Sequence, residues 1–104
     1  MSTPTKMVTD HAGRPIPALT PADSQRVAVG GTSAQSTALS SETIIVRVQS
    51  DVACYLAFGD NPTATNTDLV LPANTVEYFG VAPGSKVAVL QVGGAGFLNI
   101  VEMR

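Results

Sequence analysis

From residue 43 onward, apolar and polar positions alternate with a period of two, which predicts β-strands, because side chains alternate across a strand. In "TIIVRVQ" (43–49), Ile44, Val46 and Val48 fall on one face, and Thr43, Arg47 and Gln49 take the other with Ile45 among them. "VACYLAF" (52–58) puts Val52, Cys54, Leu56 and Phe58 inward and Ala53, Tyr55 and Ala57 outward. Ser50-Asp51 between these runs is a turn signal, so the two strands form an antiparallel hairpin or a sharp corner. Further runs follow at "DLVLP" (68–72), "TVEYFGV" (75–81), "KVAVLQV" (86–92) and "FLNIVEM" (97–103). Turn chemistry separates them: Pro72-Ala73-Asn74, then "APGS" (82–85) with Gly84 where a type II turn needs positive φ, then "GGAG" (93–96), read as a tight hairpin. Short strands at this spacing, with no helical periodicity, predict an all-β fold. The expected architecture is a small sandwich or barrel, jelly-roll-like, of about seven antiparallel strands.

Before residue 41 the pattern differs. Residues 1–24 hold four prolines and no periodic apolar face, so "RPIPALTP" reads as extended, polyproline-like chain. Residues 32–43 contain seven Ser or Thr and bury little. "QRVAVGG" (25–31) is the one strand-like piece, able to add to a sheet edge. Residues 1–40 are therefore expected to be an extended arm and 41–104 a β-domain. Arg14, Ile16, Leu19, Val27 and Val29 are the arm's expected interface anchors, and deleting residues 1–30 is expected to leave the domain folded.

Composition changes the picture in one respect. Of 104 residues, 44 % are apolar and only 13 % charged, about half the usual charged share, which favours a surface covered by partners. The net charge is −2 and the six Lys and Arg are scattered, so no cluster displaces counterions from nucleic acid. No apolar run is long enough to span a bilayer, and the N-terminal residues lack the apolar core of a signal peptide, so the chain is expected to be made and kept in a cytoplasm.

No set of residues joins a nucleophile, a base and an orienting group, so an enzyme is not expected. His11 lies in the proline-rich arm, where nothing holds a general base in reach of a proton. Cys54 falls on an inward strand face and reads as a small core hydrophobe. The loop "GDNPTATNTD" (59–68) offers Asp60, Asn61, Asn66 and Asp68 for contacts, with Tyr78 nearby in sequence. Asp60 and Asp68 could hold Ca²⁺ or act as paired carboxylates, but EF-hand spacing is absent, and Asn and Asp commonly bond their own backbone in turns. "GGAG" lacks the spacing of a phosphate-binding loop. No metal and no cofactor is expected.

The stretch "SAQSTAL…ETIIVRVQSDVACYLAFGDNPTAT…DLVLPANTVEYFGVAPGSKVAVLQVGGAGFLNIVEM" resembles the small β-rich virion proteins of tailed bacteriophages and prophages. The resemblance covers about two-thirds of the chain and rests on strand-and-turn phrasing. It implies a virion structural protein, assembled in the host bacterial cytoplasm, in the manner of a capsid decoration (cement) protein. The implied partners are the major capsid protein or other virion proteins and further copies of the chain, a trimer favoured. A neck, tail or head-fibre-anchor component is the alternative role. From a different class comes a glycan-binding β module using the 59–68 loop and Tyr78.

Overall fold

The computed structural model describes residues 5–9 and 15–103, the first two strands by their backbone. It is all-β. β1 (Thr5–Thr9) and β2 (Pro15–Leu19) pair only with each other. Eight further strands make two four-stranded antiparallel sheets. One sheet has the order β3 (Pro21–Val29), β10 (Gly96–Met103), β5 (Ile45–Ser50), β8 (Val76–Gly80). The other has the order β4 (Ala34–Gln35), β9 (Lys86–Gln91), β6 (Cys54–Gly59), β7 (Leu69–Leu71).

This order has a simple origin. β6 pairs with β7, β5 with β8, β4 with β9 and β3 with β10, one nested inside the next. The partners Cys54↔Leu71, Ile45↔Gly80 and Val29↔Gly96 share one centre, midway between Pro62 and Thr63. The short β4 pairing (Ala34↔Val89) is offset by one residue, and the β3–β10 register shifts at its end, where Met103 meets Pro21. The sandwich is thus a single long antiparallel ribbon whose tip is the 59–68 loop. It rolls up so that β10 meets β5 and β6 meets β9, which gives a jelly roll.

The strand alternation explains the rolling. On β5, Val46, Val48 and Ser50 are buried while Ile45, Arg47 and Gln49 are half-exposed. Leu98 and Ile100 on the neighbouring β10 share this inward face, and Leu56 and Cys54 on β6 and Val87 and Val89 on β9 face them from the other sheet; all exclude water completely or nearly so. Each such side chain stabilises the fold by about 1.5–3 kcal/mol relative to exposure. Phe58 on β6 and Phe79 on β8 bridge the two sheets, with ring centroids 5.3 Å apart and planes tilted by 49°.

Two expectations are revised, for residues 21–40 and for "GGAG", and two others are made definite. Residues 21–40 are part of the sandwich and not an arm, because β3 pairs along β10 and Val27, Val29, Ser36 and Leu39 are buried. Eight strands form the sandwich, since residues 21–40 supply two. β5 and β6 form a corner between sheets, as one of the two expected arrangements had it. "GGAG" likewise carries the chain from β9 in one sheet to β10 in the other and is no hairpin. The 82–85 turn is as expected: Gly84 has φ 77° and the Ser85 N–H donates to the Ala82 carbonyl at 3.1 Å. Residues 15–19 are extended but paired, with Met7 opposite Pro17 and Val8 opposite Ile16.

Candidate functional site

Among the described residues, an open cleft of about 230 Å³ lies on the outward face of the β3-β10-β5-β8 sheet. Alternation builds it. Because Val27, Leu98 and Val48 point inward, Arg26, Phe97, Asn99 and Gln49 point outward. Register then aligns Arg26, Asn99 and Gln49 in one row across β3, β10 and β5. The Arg26 guanidinium sits over the Phe97 ring, 4.4 Å from its centroid. Asp51 and Asn74 close the end of the cleft.

Both closing residues are fixed by backbone bonds. Asp51 Oδ1 accepts from the Phe97 N–H at 2.8 Å, and the Asn74 N–H donates to the Ser50 carbonyl at 2.7 Å. Asn74 has φ 58°, a left-handed conformation that asparagine tolerates better than most residues. Gly96 allows the Asp51 contact, since a Cβ there would collide with the Asp51 carboxylate and the Val52 side chain.

The 59–68 loop is pinned to the body of the sandwich. Gln35 Nε2 donates to Asn61 Oδ1 at 2.7 Å and to the Pro62 carbonyl at 2.8 Å. The Ala64 N–H donates to Ser33 Oγ at 2.9 Å, and Pro62 and Ala64 are buried. Asp68 Oδ2 accepts from the Thr65 N–H at 2.7 Å, and the Asp68 N–H returns a bond to the Thr65 carbonyl at 3.1 Å. Asn61 and Asp68 thus hold the loop itself, while Asp60 and Asn66 are exposed. No group of three metal-ligating side chains exists among the described residues.

The remaining sequence candidates scatter. Val27 and Val29 are 8 % and 2 % exposed and belong to the core, which removes them as interface anchors. Ile16 and Leu19 lie on β2, and Arg14 and His11 lie outside the described residues. Tyr78 is 59 % exposed on β8, in the sheet opposite to the one that carries the loop. Cys54 is buried, and burial pushes its thiol pKa up, with a smaller opposing effect from a hydrogen bond with Ser50.

Two features escaped the sequence reading. The row of Arg26, Asn99 and Gln49 depends on strand pairing that no local pattern encodes. Glu102 is buried, accepting from the Ser40 N–H at 2.8 Å and from Thr43 Oγ1 at 2.6 Å. Its phase with Leu98 and Ile100 was the available signal for that inward position.

The sandwich also has bare edges. β7 and β8 are the last strands of their sheets on the same side of the molecule, joined by the turn after Leu71. Leu69, Val70, Val76 and Tyr78 are exposed along them. Compared with known proteins, the chain matches no family model, no curated protein and no solved structure.

Proposed function

We propose that this chain is a structural protein of a phage virion, a capsid decoration protein that binds the major capsid shell as a homo-oligomer, a trimer favoured. The observation that carries the reading is the pair of bare edges. Monomeric proteins guard sheet edges with lysine, proline or bulges, because unpaired backbone groups template further strands. Between Leu69 and Gly80 the only charged residue is Glu77, and it is half-buried. Four exposed apolar side chains occupy the same stretch. A surface of this kind suits permanent contact with other subunits, as does the low charged fraction of the whole chain.

The β1–β2 hairpin adds support. A lone two-stranded hairpin is marginal in water, and this one belongs to neither sheet, so a neighbouring subunit or the shell is the natural surface for it. Repetition on a lattice then multiplies weak contacts through avidity.

Sedimentation of the full chain with phage heads lacking the protein tests the reading. Saturable binding at hundreds of copies per head is expected. A Val70→Lys/Tyr78→Lys variant and a chain lacking residues 1–19 should stay folded and bind much more weakly. A dozen or fewer copies would move the role to the neck or tail, and failure of the folded full chain to bind any virion part would overturn it.

A further inference from the structure

We propose that the cleft on the outward face of the β3-β10-β5-β8 sheet is a binding site for a neutral saccharide unit, a property separate from the structural role above. The argument rests on hydrogen-bonding groups without protein partners. Elsewhere in the described chain, the carboxamides of Gln25, Gln35 and Asn61 make intramolecular bonds, and those of Asn66 and Gln91 stand singly, away from the cleft. The side chains of Gln49, Asn74 and Asn99 make none, and the Arg26 guanidinium meets only the Phe97 ring. All of these converge on the same concavity.

The chemistry of the set selects the ligand. A carboxamide donates and accepts, a guanidinium only donates, and a carboxylate only accepts. Adjacent hydroxyls on a sugar ring offer both functions at short spacing, and three carboxamides with one guanidinium and one carboxylate can match them. Arg26 and Asp51 cancel formally, so the cleft has no net charge with which to prefer an ionic ligand. Phe97, 48 % exposed, gives the apolar surface that the C–H face of a sugar requires. Arg26 on this ring is pre-ordered by the stacking, which lowers the ordering cost on binding. The row of Arg26, Asn99 and Gln49 spans two inter-strand spacings, about 10 Å, and a volume of about 230 Å³ is below that of drug-sized pockets. The site therefore takes one small ring at the end or side of a glycan. Affinity for a single unit is weak, and multiple copies raise it by avidity.

Asn74 is also required by its left-handed backbone, so its presence alone says little. Gln49 and Asn99 lie in ordinary strands, where neither side chain serves the backbone. They are the residues to test. The ¹⁵N-labelled full chain is titrated with millimolar methyl glycosides of glucose, galactose, mannose and N-acetylglucosamine, and the shifts of backbone and side-chain amides are followed. Saturable shifts confined to Arg26, Gln49, Asp51, Asn74, Phe97 and Asn99 are expected for at least one glycoside. Asn99→Ala and Gln49→Ala should each weaken binding about tenfold while leaving the rest of the spectrum in place. Asn74→Gly keeps the turn and should weaken binding similarly. The proposal is overturned if no glycoside moves these signals, or if binding persists unchanged in the Asn99→Ala/Gln49→Ala double variant. Binding of an unstructured peptide at the same residues in preference to every glycoside would overturn it too.

Discussion

Single residues decide how the corners of this sandwich are made, and the two ends of "GGAG" show it. Gly93 has open space where a Cβ would stand, whereas at Gly96 a Cβ meets the Asp51 carboxylate and Val52. Gly93→Ala should therefore leave stability within about 0.5 kcal/mol, and Gly96→Ala should lower it by about 1–3 kcal/mol through overpacking. Urea denaturation of the two variants makes the comparison, and equal midpoints would refute the steric account. Cys54 gives a pH-dependent counterpart. Burial raises its folded pKa, so at neutral pH both folded and unfolded states keep the proton and pH has no effect through this group. Above the ordinary thiol pKa of about 8.5 the unfolded chain ionises first, and stability falls as pH rises towards the folded value. Replacing Cys54 by Ala should flatten that alkaline decline. Because Cys54 is buried, alkylation of the natural chain is expected only after unfolding, and the Ala variant should show none.

At the scale of elements, the 59–68 loop matters as the tip of the ribbon around which four strand pairs are nested. Its attachment runs through Gln35 and Ser33 to Asn61, Pro62 and Ala64. Gln35→Ala removes two of these bonds and should cost about 1–2 kcal/mol. The effect should be local, with faster amide exchange over residues 60–65 and little change in the β5 amides. Uniform loss of protection instead would mean that the loop is needed for the whole fold. How much of this could be read beforehand follows the range of each signal. Alternation located β5, β6, β8, β9 and β10, and Gly84 fixed its turn, because those signals lie within a few residues. Glu102 was legible in phase but not in partner, since Ser40 and Thr43 lie about 60 residues away in the chain. β3 was hidden for another reason. Pro21, Ala22, Asp23 and Ser24 show no alternation, and only Val27 and Val29 carry its buried face. The cleft was the least legible feature, because its residues come from separate strands and turns whose adjacency exists only after the ribbon rolls.

For the whole molecule, the consequence is where the chain can be cut. A boundary at residue 40 would remove β3 and β4, and a cut at residue 30 already removes all of β3. β3 covers one edge of β10, and Val27 and Val29 fill the core beside Leu98 and Ile100. Losing two buried valines removes about 3–6 kcal/mol of apolar burial, comparable with the total stability of a small domain. It also turns β10, an interior strand whose Leu98 and Ile100 are fully buried, into an unpaired edge. The chain lacking residues 1–30 should therefore be unfolded or aggregated. The chain lacking residues 1–19 keeps both four-stranded sheets intact, loses only the separate β1–β2 hairpin, and should unfold cooperatively near the full-length midpoint. Thermal unfolding followed by circular dichroism distinguishes them. A stable cooperative fold in the shorter chain would show that β3 is dispensable and that the nested ribbon begins at β4. Loss of the fold in the longer one would show that the hairpin is part of the domain.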